Sequence, residues 1–451
     1  MTLALIGILG LALMFLLMAL RLPVALAMLG VGFAGTIAAN AAKFLSFGMP
    51  SELAWSRAVR IAFSNLSGET FEAASSYNLL VIPMFVLMGN IAGASGMSAD
   101  LFRAAYRWMG HFRGGLASAT ITACAGFAAL SGSSLASAVT MGRVALPAMR
   151  RYRYDDGLAT GAVAAGGTLG FLIPPSGGMI IYAVLTEQSI GRLFMAGVIP
   201  GILLTALFIL TIMLTVLRNP AAGPAGERAS WAERSRSLLS ALPILLVVMV
   251  VIGGMYTGFF TPVEASSVGA FFAFAVAVLR RRLSIKAMRE VILQTLSATA
   301  TIFLILIGAF VFIPFMALTE IPQHLVTVLT ALPIGDVGVL IVIIAAYLIL
   351  GMFLDTMAML VLTIPVVIPI ALGLDWDLVW FGIIVVIALE MGMISPPVGI
   401  NVFIVKSIAP DVPMGRIFRG IWSFWLAMLV MIALLVVFPE IALYLPSQVI
   451  G

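Results

Sequence analysis

Apolar runs of about 17 to 25 residues, each enough to cross about 30 Å of hydrocarbon, recur from residue 3 to residue 445 with short polar breaks between them. The pattern predicts an all-α integral membrane protein with little chain left for a soluble domain. Residues 40–72 break the pattern: they carry charges of both signs, with Leu53, Ala54, Ala58, Ile61 and Ala62 at near-helical spacing. They read as an interfacial helix, as do Ser284 to Val291, and a plain loop is the alternative for both.

Comparing the halves reveals a repeat. At a constant offset of 222, Ala136, Pro147, Gly170, Pro174, Pro175 and Gly177 match Ala358, Pro369, Gly392, Pro396, Pro397 and Gly399. Identities at such special residue types mark an internal duplication. The repeat divides the chain into 1–217, a cytoplasmic connector at 218–238, and 239–451. In each half a stretch must start and end on one membrane side (about 114–149, then about 337–371), which predicts a re-entrant hairpin. A span follows (about 157–190, then about 378–408) interrupted by "GFLIPPS" and "GMISPPVG". Proline donates no backbone bond and disfavours helix before it, so each Pro-Pro pair breaks its helix.

Charge gives the orientation. With the first span running inward, the segments assigned to the cytoplasm (Arg21, 96–113, 150–156, 218–238, 280–290 and 406–419) hold 19 of the 24 Lys and Arg residues. Basic residues concentrate in cytoplasmic loops. The first repeat's turns then face inward and the second's outward, so the repeats are inverted, as in alternating-access carriers. The net charge of +5 therefore orients helices, and a nucleic-acid partner is set aside. One cysteine, Cys124, and two histidines, His111 and His324, supply neither a disulfide framework nor a thiol or imidazole metal cluster. No lysine follows a glycine, which excludes a Walker A loop. No His or Cys sits with a nucleophile, so the reading is a carrier and not an enzyme.

Unpaired backbone survives in hydrocarbon only where protein buries it or a polar cavity receives it, so the breaks mark a site. New half-helices after Pro175 and Pro397 offer N–H groups to an anion, and the helix ends before the breaks offer carbonyls to a cation. Ser395 before Pro396 fits a helix cap. The hairpin tips fall at Ser131, Gly132, Ser133 and Ser134 and near Gly351 to Thr356, with Ser133 and Asp355 equivalent. Asp355 is the carboxylate expected to hold sodium, helix capping being its plainer role; Glu390 either joins the site or bonds neighbouring helix hydroxyls, and Glu264 caps a helix. Arg143 lies twelve residues past the tip, about 18 Å along a helix, and should reach the inner surface. The substrate is expected around Ser133, Ser134, Pro175, Ser176, Pro397 and Asn401. Hairpins and broken spans should move together, against a fixed part including 3–39 and 239–279.

The "SGSSLASAVTMG" tip, "GTLGFLIPPS", "SIGRLF" with "AGVIPG", "TPVEAS" and "SPPVGINVF" resemble the large membrane subunit of tripartite ATP-independent periplasmic (TRAP) transporters, from about Pro83 to Phe418. The resemblance implies a sodium-driven elevator carrier that imports carboxylate-bearing solutes across a bacterial inner membrane. It further implies a periplasmic solute-binding protein and a small four-helix membrane subunit, here a separate chain. By the same resemblance sodium would sit at Ser131, Gly132 and Ser133 with Gly170 and Pro174, and at Gly351 and Asp355 with Gly392 and Ser395. The alternatives are an elevator symporter that takes anions directly from solution, and a passive channel.

Overall fold

The structure, a computed structural model, describes residues 2–448. Three helices open the chain: α1 (Leu3–Ala19), α2 (Val24–Ser46) and α3 (Ser51–Ser75). Next, α4 (Val81–Ala94) and α5 (Met97–Met109) lead to the first hairpin, α6 (Gly115–Ser131) and α7 (Ser134–Arg151). The first broken span is α8 (Asp156–Leu172) and α9 (Gly177–Leu185), followed by α10 (Ile190–Arg218), α11 (Trp231–Tyr256), α12 (Pro262–Leu279), α13 (Ile285–Leu318) and α14 (Ile321–Ala331). The second hairpin is α15 (Gly335–Gly351) and α16 (Thr356–Gly373). The second broken span is α17 (Leu378–Met393) and α18 (Ile400–Ile408), and α19 (Met414–Val437) and α20 (Glu440–Gln448) complete the described chain. Among the described residues, nine helical segments are long and apolar enough to cross a membrane.

Both ambiguous segments are helical. Residues 40–46 continue α2, all of 51–72 lies in α3, and 285–291 are the first turns of α13. The plain-loop alternative fails for both. Glu264 caps α12 in a reciprocal box with Thr261, each side chain accepting from the other's backbone N–H.

The chain divides into two compact units. The first comprises Met1–Leu79, Ser297–Ile343 and Met357–Leu378. In it α2 lies against the second half of α13 at backbone distance: a Cβ on Gly32 would fall 2.8 Å from the Val311 carbonyl oxygen, and one on Gly308 2.6 Å from that of Ala25. Small residues permit such approach where no hydrophobic effect drives helices together. The second unit comprises Leu80–Leu296, Ile344–Thr356 and Val379–Gly451. It contains 239–279 together with the first hairpin, so these compact units do not follow the expected division into moving and fixed parts.

In the second unit, all five polar segments assigned to the cytoplasm meet at one end. Arg280 and Arg282 reach Asp100 at 3.0 and 2.5 Å, and Arg103 also pairs with it. Arg107 lies 3.5 Å from Glu233. The Tyr106 and Tyr152 hydroxyls are 2.7 Å apart, and the N–H groups of Gly114 and Asp155 donate to the Gly223 and Ala222 carbonyls. Arg150 holds Asp411 with two bonds of 2.8 Å, and Arg416 holds Asp155 at 2.8 Å. The bond from Arg150 keeps the Asp411 carboxyl below the usual carboxylate range. Burial pushes Asp155 up, but the bonds from Arg416 and the Leu158 N–H outweigh it and hold that carboxyl low as well.

These pairs also fix direction. The first broken span starts at this end, where Asp155 and Asp156 face Arg416, and the second finishes there, where Asp411 faces Arg150. Equivalent elements of the two repeats therefore run in opposite senses, and the repeats are inverted.

Candidate functional site at the hairpin tips and helix breaks

At the first tip, α6 ends on Gly132 in the left-handed conformation, φ 58°, which suits a residue without a Cβ. Ser133 then caps α7, its hydroxyl accepting from the Ala136 N–H at 3.3 Å. The tip is pinned to the break: Gly177 N–H donates to the Gly132 carbonyl at 3.1 Å. From the other side α8 presents Gly170, where a Cβ would lie 2.6 Å from the Ser133 carbonyl oxygen. The Ser131 and Ser137 hydroxyls are 2.8 Å apart. Ser176 caps α9, accepting from Met179 N–H at 3.4 Å and donating to the Phe171 carbonyl at 2.5 Å. Pro174, Pro175 and Ser176 are buried, and Ser131 and Ser133 half-buried. The chain thus brings together Ser131, Gly132, Ser133, Gly170, Pro175 and Ser176.

The second tip follows the same plan with different chemistry. Gly392 meets Gly351 as Gly170 meets Ser133; a Cβ there would lie 2.7 Å from the Gly351 Cα. Asp355 is half-buried and immediately precedes α16. Both Pro-Pro bonds, 174–175 and 396–397, are cis. Pro396 and Pro397, unlike their equivalents, are exposed.

Ser395 does not cap α18. That helix starts at Ile400 behind Gly399, without a side-chain cap. The Ser395 hydroxyl instead donates to the Met391 carbonyl at 2.7 Å and accepts from the Trp425 indole at 3.0 Å. Asn401, in the first turn of α18, is fully buried, and neither amide atom has a hydrogen-bond partner. A buried amide without partners is costly.

Sequence reasoning left Glu390 undecided. Its carboxylate, 1% exposed, accepts from the Thr356 hydroxyl at 3.4 Å, and its Oε2 has no hydrogen-bond partner. The hydroxyl it bonds belongs to another helix, α16, and not to its own. Arg143 is exposed on α7. Cavities of about 540 to 660 Å³ are lined mainly by apolar side chains, one reaching Pro174 from α10 and α11, and neither Ser133 nor Asn401 lines them.

Inverted repeats, paired hairpins and paired breaks describe a class of carrier, and comparison with known proteins gives the family. The family model described as "Tripartite ATP-independent periplasmic transporter, DctM component" matches residues 11–441. The chain belongs to the DctM family of TRAP transporters. A C4-dicarboxylate TRAP transporter large permease of Pseudomonas aeruginosa is 36% identical over 384 residues, 85% of this chain and 89% of that protein. The sialic acid TRAP large permease of Vibrio cholerae is 32% identical, covering 87% and 94%. The ectoine/5-hydroxyectoine large permease of Ruegeria pomeroyi is 33% identical, covering 82% and 86%. Among solved structures, the Alcanivorax borkumensis YdaH transporter shares the fold, with a TM-score of 0.61 at 17% identity over 86% of this chain and 90% of that one. This DctM protein is accordingly a multi-pass protein of the bacterial inner membrane.

Proposed function

We propose that this DctM protein imports small organic acids coupled to sodium by an elevator motion, taking substrate from a periplasmic binding protein and working with a small four-helix membrane subunit. The observation that carries the reading is the pair of tip-and-break junctions: the first holds the capped starts of α7 and α9, the second the unpartnered buried amide of Asn401, and among the described residues neither places a buried basic side chain beside them. Half-helix starts offer N–H groups to an anion, and interrupted ends offer carbonyls to a cation. The Ser131 and Ser137 hydroxyls and carbonyls near Gly132 and Gly170 fit a hard monovalent cation at the first junction; Asp355, with carbonyls near Gly351 and Gly392, fits one at the second. Bound sodium would supply positive charge beside the substrate. Ser133, Ser134, Ser176 and Asn401 are the side chains assigned to the carboxylate. Relatives named for C4-dicarboxylates, sialic acid and ectoine support an acid substrate, since each of these compounds carries a carboxylate.

The test is uptake by proteoliposomes holding this chain and its small subunit, with the binding protein and a panel of labelled carboxylates. Uptake should require an inward sodium gradient. Asp355→Ala should abolish it while the protein still inserts. Asn401→Leu should leave the thermal midpoint unchanged or higher, because it removes an unsatisfied buried amide, yet lower uptake at least ~10-fold. Full-rate uptake without sodium would refute the coupling. Uptake that needs no binding protein would favour the direct symporter instead.

A further inference from the structure

At the cytoplasmic end of the second unit, the first turn of α6 and the last turns of α10 leave a cleft between them. Its volume is about 540 Å³, and its walls are Met109 from α5, Ser118 from α6, and Ile209, Met213, Val216 and Leu217 from α10. Met213 and Leu217 are 52% and 75% exposed, so the cleft opens on the face that α10 turns to lipid. Its polar end is held in place: the Gly114 N–H donates to the Gly223 carbonyl of the connector at 2.8 Å, and a Cβ on Gly114 would lie 2.9 Å from Ile212.

The charged lining residue is Arg113, exposed in the turn between α5 and α6. Arg218, next after Leu217 and the last residue of α10, is exposed as well. Among the described residues neither makes an ion pair, and no carboxylate lines the cleft. By contrast, the cavities beside α2 and α11 are lined by no charged side chain among the described residues. Guanidinium groups bind phosphate oxygens through paired N–H donors, and basic pockets between spans on the cytoplasmic side suit anionic headgroups. A free phosphate would use the arginines and leave the apolar walls untouched. A partner's transmembrane helix fits poorly: with side chains it is about 10–12 Å across and climbs about 5.4 Å per turn, so the cleft would take only about one turn.

We propose that this cleft binds an anionic phospholipid of the inner leaflet, with one acyl chain along Ile209, Met213 and Val216 and the phosphate held by Arg113 and Arg218. The lipid fills space that the side chains leave open and neutralises two cations that no carboxylate meets. It joins the base of the first hairpin to α10, so its binding stabilises that junction. The site is separate from the hairpin tips and helix breaks, and it does not depend on what they bind.

The experiment titrates the purified full chain, stripped of lipid in detergent, with mixed micelles of phosphatidylglycerol or of phosphatidylethanolamine. Its readouts are the thermal midpoint and the lipid retained after detergent exchange, measured by mass spectrometry. Phosphatidylglycerol should raise the midpoint and half-saturate at a concentration at least ~10-fold below that of phosphatidylethanolamine. The double variant Arg113→Gln/Arg218→Gln should erase that preference. Met213→Trp, which fills the cleft with an indole, should abolish retention while the lipid-free midpoint stays unchanged or rises; should it fail to fold, Ile209→Phe makes the same test. Inorganic phosphate alone should shift nothing, and a shift equal to that of phosphatidylglycerol would overturn the proposal in favour of a free anion. Equal affinity for the two lipids, or undiminished retention of phosphatidylglycerol in either variant, also overturns it. Release of a copurifying small subunit by Met213→Trp, with lipid retention intact, would overturn it and assign the cleft to that subunit.

Discussion

Two glycines set how closely each broken span approaches its hairpin. Gly170 and Gly392 occupy equivalent positions, and each faces backbone where a Cβ would lie 2.6 to 2.7 Å from its nearest neighbour. Backbone cannot yield as a flexible side chain can, so Gly170→Ala should cost about 1–3 kcal/mol of overpacking. It should lower the thermal midpoint and abolish uptake by displacing Ser133. Gly415→Ala, at a position with nothing within 4 Å, is the matched control and should leave both intact. Equal behaviour of the two variants would show that the close approach is dispensable. The pairing of these glycines was legible in the sequence, since both fall in the offset-222 alignment. The partner of Glu390 was not, because Thr356 lies 34 residues away on another helix and only helix packing brings the two together.

The helix after each break is short, nine residues in both repeats, so its start decides whether it forms. Isolated helices of this length are marginal, and orphan N–H groups at the start must find acceptors. α9 has the Ser176 cap, whereas α18 starts behind Gly399, φ 62°, with no side-chain acceptor. Ser176→Ala should therefore cost about 0.5–2 kcal/mol and raise the half-saturating substrate concentration, while Ser395→Ala should act through its lost bond to Trp425 and leave the start of α18 unaltered. Hydrogen exchange on residues 177–185 and 400–408 separates the two effects: the first variant should deprotect only the first segment. The sequence placed both breaks correctly because Pro-Pro and glycine act locally. It misassigned Ser395, since a serine before proline has the local pattern of a cap, and the indole that claims its hydroxyl lies 30 residues on, at Trp425.

Across the second unit, polar ends are sorted by membrane side, and the sorting is carried by pairs that only proximity can make. Arg280, Arg282 and Arg103 gather on Asp100, which is fully buried; Arg150 with Asp411 and Arg416 with Asp155 join the two repeats at the same end. Loop charge alone had assigned these segments to the cytoplasm, by a rule about insertion that makes no reference to packing. Agreement between the two arguments makes orientation testable at single positions. Cys124 is buried, so cysteines introduced at exposed sites should dominate reaction with a membrane-impermeant maleimide. Arg151→Cys and Arg236→Cys, both at exposed positions of the paired face, should react in inverted vesicles and stay unreactive in intact spheroplasts. Glu187→Cys, in the exposed turn after α9 at the far end of the first broken span, should show the opposite pattern. Labelling of Arg151→Cys from the periplasm would place the ion-paired face outside. It would reverse the direction of both broken spans in the membrane while leaving their inversion intact, because that follows from Asp155 and Asp411 lying at one end.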